Sequence, residues 1–159
     1  MQVYISHISL QTFHPIFSKM AMDTVKLVLQ FSNIIFLNKD QTLYTPGFND
    51  SFFYIVLYGK LRVYRPSAES TSAKHLEPIG QVMNIGWTIG EEILFKTAEG
   101  HKPIRRDSCK AKTECCVLAM ERRGLSSIKK QLAERTALDE FQKLETVLRG
   151  NYFMKQNWK

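Results

Sequence analysis

A chain of 159 residues with 44% hydrophobic and 23% charged side chains is long enough for one domain with a real core and short for two. That composition excludes disorder as the main state, and no apolar run approaches the length of a membrane span. The formal charge of +7 favours acidic partners, but its densest groups, Arg105–Arg106, Arg122–Arg123 and Lys129–Lys130, are short and lie among acids, so specific nucleic-acid binding is not expected.

Three cysteines, Cys109, Cys115 and Cys116, are an odd number without C-x-x-C spacing. This argues against a disulfide framework or zinc site and for a reducing compartment. The opening "MQVYISHISLQTF" has neither a basic n-region nor a continuous apolar segment, so no signal peptide is expected and the setting is read as cytoplasmic.

Residues 1–14 read as an extension in which "VYISHISL" is a strand or a docking tail. Pro15 suits a first helical turn, and Phe17, Met20, Ala21, Thr24, Val28 and Phe31 follow at helical spacing, predicting one amphipathic helix that ends near Asn33. The character then changes to β-branched and aromatic runs broken by the turn clusters "NKDQ", "PGFND" and "YGK". "FFYIVLYGKLRVY" reads as a hairpin with its tight turn near Gly59, where glycine takes a positive φ most easily. A polar loop at 66–74, glycine-punctuated strand material in "HLEPIGQVMNIGWTIG", and a strand pair in "SCKAKTECCVLAMER" turning near Thr113 and Glu114 complete the β region.

From Ser126 the helical period returns. Ser126 or Ser127 can cap, Ile128, Leu132, Phe141, Leu144 and Leu148 share one face, and Gly150 is a stop signal. The expected architecture is mainly β: an antiparallel barrel or jelly roll over about 34–121 with an N-terminal helix and a C-terminal helix at about 126–148, in one domain spanning 15–150. The aromatic tail 151–159 holds Tyr152, Phe153 and Trp158, which suit docking on the domain or on a partner, or stacking on a purine.

The stretch "GWTIGEEILFKTAEGHKPIRRDSCKAKT" at 86–113 carries the chemistry. Gly90 and Glu91 precede "EILF", a short helix whose first N–H groups favour an anion. Arg105 or Arg106 adds a permanently charged planar fork suited to phosphate oxygens. Glu91 would repel phosphate, and a sugar hydroxyl beside it is the better partner.

The segments "PGFNDSFFYIVLYGKLRVY", "IGEEILF", "RRDSCKA" and "ER" at 121–122, in this order, resemble the cyclic nucleotide-binding domain. The resemblance covers about Ile16 to Leu132. It implies that Gly90 and Glu91 belong to the phosphate-binding cassette, with Glu91 on the ribose 2′-hydroxyl. It implies that Arg105, which keeps the family's steps to Ser108 and Ala111, pairs with the cyclic phosphate. Arg106 would substitute if the loop shifted by one residue, and Ser108 matches the Ser or Thr beside base or phosphate. Ile93 holds the position of an alanine whose N–H faces the phosphate. The interval from Glu91 to Arg105 is longer than usual through "KTAEGHK", and Arg106 and Asp107 stand where the family has small residues.

The implied function is a regulatory module that binds cAMP or cGMP and repositions its C-terminal helix to act on a protein partner. The alternative is a non-binding interaction subunit of a larger assembly, ciliary or flagellar for example, with the fold retained and the pocket altered. No enzyme is expected, because there is no "GxSxG", no "GxxxxGK[ST]" loop and no recognisable Ser-His-Asp set. His7, His14, His75 and His101 lack metal-ligand spacing, so no metal or cofactor is expected. Cys115 and Cys116, neighbours on a strand, are expected to give one buried and one exposed thiol.

Overall fold

The computed structural model describes residues 7–47, 51–67, 75–95, 104–156 and 158. Helix α1 (His7–Phe13), a single 3-10 turn (Phe17–Lys19) and α2 (Met22–Gln30) lead into eight strands. These are β1 (Ser32–Leu37), β2 (Thr42–Tyr44), β3 (Phe52–Tyr58), β4 (Leu61–Pro66), β5 (Leu76–Met83), β6 (Thr88–Ile89), β7 (Ser108–Ala111) and β8 (Cys115–Glu121). Helix α3 (Glu92–Phe95) interrupts them between β6 and β7, and α4 (Arg122–Glu134) and α5 (Leu138–Gln156) follow.

The strands form two four-stranded sheets, ordered β1-β8-β3-β6 and β2-β7-β4-β5, with every pair antiparallel. This is the jelly-roll arrangement of the expected fold class, built as two facing sheets rather than a closed barrel. The expected hairpins at Gly59 and Thr113 are corrected by the pairing. The turns are where the sequence puts them, but β3 and β4 lie in different sheets, as do β7 and β8. Each turn is a corner that carries the chain from one sheet to the other. The two corners bond to each other: the Lys60 N–H donates to Thr113 Oγ1 at 3.0 Å, and the Lys112 N–H donates to the Lys60 carbonyl at 2.8 Å. Gly59 is required here twice over, by its φ of +83° and because a Cβ would lie 2.2 Å from the Glu114 carbonyl oxygen.

Two apolar layers follow from strand periodicity. Alternate residues of β3 (Phe53, Ile55, Leu57) and of β8 (Cys116, Leu118, Met120) meet Phe17, Val25 and Val28 at the helix side. The intervening residues (Tyr54, Val56; Cys115, Val117, Ala119) meet Leu61, Val63 and Met83 between the sheets. Both faces of β3 and β8 are therefore covered, which is why they read as unbroken apolar runs. The vicinal thiols are corrected accordingly: Cys115 and Cys116 do point to opposite faces, yet both are buried.

Residues 7–10 of the N-terminal "VYISHISL" stretch lie in a helix rather than a strand, residues 3–6 lie outside the described residues, and the predicted helix after Pro15 is confined to Met22–Gln30 behind the 3-10 turn. The C-terminal helix is two helices. Residues 135–137 separate α4 from α5, with Thr136 at φ +54°, yet Ile128, Leu132, Phe141, Leu144 and Leu148 all reach the helix-side core as their spacing predicts. Ser126 and Ser127 do not cap; their hydroxyls donate to the Arg122 and Arg123 carbonyls one turn back. Nor does Gly150 end the helix, which runs on to Gln156 and takes in Asn151, Tyr152 and Phe153.

Candidate functional site

Pairing of β6 with the middle of β3, Tyr54 opposite Ile89 and Ile55 opposite Thr88, fixes where the Gly-Glu step begins. Gly90 has φ +81°, and a Cβ on it would lie 2.4 Å from both terminal nitrogens of Arg105. The residue is therefore glycine for backbone conformation and for the close approach of a guanidinium. Helix α3 starts immediately after: the Ile93 N–H donates to the Gly90 carbonyl at 3.3 Å and the Leu94 N–H to the Glu91 carbonyl at 2.9 Å.

Glu91 is fully buried. Its carboxylate accepts from Thr88 Oγ1 at 2.8 Å and stands 2.6 Å from Lys155 Nζ, which reaches in from the end of α5 and also donates to the Thr88 carbonyl at 2.7 Å. A buried carboxylate is tolerated only with such partners.

Arg105 is 3% exposed. Its Nη1 pairs with Glu92 Oε1 at 2.6 Å and its Nη2 donates to the Phe52 carbonyl. The guanidinium lies 4.7 Å from the centre of the Tyr44 ring, within cation–π range. Its own carbonyl accepts from the Gly47 N–H at 2.8 Å, which ties the "RRD" segment to the turn after β2. Arg106 is exposed. Asp107 accepts from Tyr44 OH at 3.4 Å and lies 4.0 Å from Arg65. Burial, reinforced by the Glu92 charge, raises the Asp107 carboxyl above its ordinary value against the pull of Arg65 and Arg105. Burial likewise pushes the Tyr44 phenol well up, so it stays a neutral donor.

A cavity of about 460 Å³ opens between the second sheet, this cassette and the end of α5. Val63, Ile79 and Ile89 form its apolar floor, Arg65, Arg106 and Lys155 supply cations, Glu92 and Asp107 supply anions, and Tyr152 and Trp158 stand at the tail side. Its volume is in the range of small-ligand pockets. Of the predicted site residues, Gly90 and Arg106 line it. Glu91 and Arg105 lie behind the wall, held by Lys155 and Glu92, both of which do line it. Ile93 is packed into the helix-side core, and Ser108 is buried on β7 opposite Tyr64. The residues around "KTAEGHK", 96–103, lie outside the described residues. Among the described residues no group of three or more His, Cys, Asp or Glu side chains could hold a metal ion.

Lys155 was missed from sequence, and Trp158 was read there only as part of an aromatic tail suited to docking on the domain or on a partner, or to stacking on a purine. Lys155 is 64 residues from Glu91 and has no local motif. Trp158 packs its ring 5.7 Å from Trp87 and lies over Gly80 of β5, where a Cβ would be 2.1 Å from the indole. The available signal was a glycine inside a strand, which often marks a close approach by another group.

A model of the cyclic nucleotide-binding domain matches residues 34–131, well over half of the chain. No curated protein sequence matches the chain significantly. Among solved structures it is similar to the catabolite activator protein of Thermus thermophilus, with TM-score 0.65 and 19% identity over 89% of this chain and 60% of that one. The chain thus spans 60% of the length of that protein. It is also similar to a cyclic nucleotide-binding domain from Methylobacillus flagellatus, with TM-score 0.64 and 15% identity over 89% and 73% of the two chains. The sensor domain of the transcriptional regulator DNR from Pseudomonas aeruginosa gives TM-score 0.62 and 19% identity over 94% and 89%. At such identities these likenesses speak for the fold, two packed antiparallel sheets with flanking helices. With the family match over the strands, the Gly-Glu step and the Arg105 segment, the chain belongs to the cyclic nucleotide-binding domain family.

Proposed function

We propose that this chain is a non-catalytic regulatory module that takes cAMP or cGMP into the 460 Å³ cavity and transmits occupancy through α5 to a protein partner. One observation carries the reading: Lys155, on the last turn of α5, sits on the cassette glutamate at 2.6 Å, so the ligand cassette and the C-terminal helix meet in one contact. A ligand that competes for that contact necessarily favours one position of the helix over another, which is what a population shift requires. In this reading Glu91 serves a ribose hydroxyl, Arg105 or Arg106 the cyclic phosphate, and Gly90, Ile93 and Ser108 the remaining cassette contacts. Arg65 and Arg106 at the cavity wall favour an anionic guest.

Calorimetric titration of the chain with cAMP and cGMP, with Arg105→Ala and Arg106→Ala alongside, tests it. Micromolar binding lost with one arginine supports the module and assigns the phosphate ligand. No heat and no thermal stabilisation at millimolar nucleotide overturns it.

A second reading is favoured by the 2.6 Å Arg105–Glu92 pair, which gives the phosphate arginine a carboxylate of the chain's own. In that case the fold serves as an interaction subunit of a larger assembly, in the cytoplasm or in a cilium or flagellum. No described helix is long and apolar enough to cross a membrane.

A further inference from the structure

The end of α5 is anchored in an unusual way. Its buried residues are Phe141, Leu144 and Leu148, all in the first two-thirds of the helix. Beyond them Phe153 and Met154 are 61% and 47% exposed, so apolar burial does little for the last turns. Lys155 joins those turns to the body through Glu91 and the Thr88 carbonyl, and Trp158 packs just beyond them against Trp87 and Gly80. The Trp158 N–H donates to the Lys155 carbonyl at 3.1 Å, so the two anchors form one short unit.

From these contacts we infer that Lys155 and Trp158 form an intramolecular clasp that competes with ligand for the cassette. The inference rests on the ligand reading above and specifies its regulation. The chemistry of the contacts supports it. The clasp gives Glu91 a cationic donor where a sugar hydroxyl would otherwise donate, while Glu92 gives Arg105 a carboxylate where a cyclic phosphate would otherwise accept. Each cassette handle is thus satisfied by a group of the same hydrogen-bonding sense as the ligand's own. Such an exchange leaves each buried charge hydrogen-bonded in either state, with Glu91 exchanging a cation for neutral donors and Arg105 exchanging one anion for another, and so it can be reversible. A buried ion pair adds little net stability over alternatives that satisfy the same charge, because desolvation offsets most of the attraction. The contact is therefore suited to switching more than to holding the fold. Ligand affinity is reduced by the fraction of molecules in which the clasp is open: about tenfold if it is closed about nine-tenths of the time.

The chain has only two tryptophans, and they are the pair in the clasp, so its intrinsic fluorescence reports the contact directly. The test uses the full chain as wild type, Trp87→Phe (which isolates Trp158), Trp87→Phe with Lys155→Gln, and Trp158→Ala. Acrylamide quenching without nucleotide reads the clasp, and titration with cAMP and cGMP reads the competition. The expected result is a shielded Trp158 that Lys155→Gln exposes, severalfold in quenching constant, together with tighter nucleotide binding by Trp158→Ala than by wild type. A Trp158 that is freely quenched with Lys155 intact overturns the clasp whatever the nucleotide does. Equal affinity of wild type and Trp158→Ala, and of Trp87→Phe with and without Lys155→Gln, overturns the competition while leaving the ligand reading in place. A clasp that opens as expected while no variant binds nucleotide at millimolar concentration refutes the ligand reading and the competition with it.

Discussion

Gly90→Ala and Gly47→Ala form a matched pair that measures the guanidinium nest. Both glycines have nearly the same backbone, φ +81° and φ +79°. An alanine at either must adopt a left-handed conformation, at about 1–2 kcal/mol. The surroundings differ: nothing lies within 4 Å of a Cβ at 47, whereas at 90 it would stand 2.4 Å from the Arg105 terminal nitrogens. Alanine at 90 must therefore push a buried guanidinium off Glu92 and the Phe52 carbonyl. Hydrogen bonds to a charged group contribute about 1.5–3 kcal/mol, and part of one is recovered by relaxation. The expected losses are about 1–2 kcal/mol at 47 and about 3–5 kcal/mol at 90. Equilibrium urea denaturation with unchanged m-values reads both. If the two substitutions cost the same within about 0.5 kcal/mol, the guanidinium is not held where the geometry places it, and the account of Gly90 fails.

His14 is buried, with Nε2 2.9 Å from the Val56 carbonyl and Nδ1 accepting from the Ile16 N–H at 3.3 Å, so it is the neutral Nε2-protonated tautomer. Burial, only partly countered by the Val56 bond, lowers its pKa; its stabilising contribution is full above the ordinary value near 6.5 and declines as pH falls below it. His14→Gln is expected to flatten the stability–pH curve in that window, and an unchanged slope in urea melts refutes this. Two thiols are inert for the same reason, since burial raises Cys109 and pushes Cys116 up to about 12, and Cys115 is itself shielded by burial. Thiol-reagent labelling near neutral pH is expected to be orders of magnitude slower in the native protein than in urea, and one fast-reacting equivalent would contradict it.

Where local chemistry decides structure, the sequence was legible; where partners decide, it was not. The turn at Gly59 reads identically whether the flanking strands pair or separate, because a positive φ and a close backbone neighbour are needed in both cases. That β3 joins β8 and β4 joins β7 depends on residues far away in sequence, from Tyr64 opposite Ser108 to Phe52 opposite Glu121. The apolar face Ile128–Leu132–Phe141–Leu144–Leu148 was plain from spacing, yet the break between α4 and α5 carries no Gly or Pro to announce it. Gly150 gave a stop signal that the fold overrides: an exposed glycine costs a helix only about 1 kcal/mol, and the docking of Lys155 and Trp158 beyond it favours continuation. At the site, Gly90, Glu91 and Arg105 were recognisable as a set. That Lys155 and Glu92 hold two of them was not, since a lone lysine in a polar helix and a second glutamate look like solvated surface.

Asp107 is the residue through which pH should enter the proposed ligand reaction. It faces Tyr44 from β2 and Arg65 from β4, with Glu92 of α3 and Arg105 of its own segment close enough to act on its charge. Burial and Glu92 already disfavour its anion in the free protein, more than the two arginines favour it. A cyclic phosphate entering the same cavity brings another negative charge, and at 4 Å the repulsion is about 4 kcal/mol for an effective dielectric near 20. The bound state therefore holds the Asp107 proton more tightly than the free state does. By linkage, binding takes up protons, and affinity rises as pH falls from neutrality into the range where Asp107 titrates. Titrations at about pH 7 and about pH 5, in buffers of different ionisation enthalpy, measure that uptake directly. Asp107→Asn removes both the repulsion and the proton, so it should bind more tightly at neutral pH and lose the pH dependence. Its partner Tyr44 keeps an acceptor in the amide oxygen, so the wall of the cavity stays intact. Proton release on binding, or an Asp107→Asn variant with the wild-type slope, would place the phosphate elsewhere than beside Asp107.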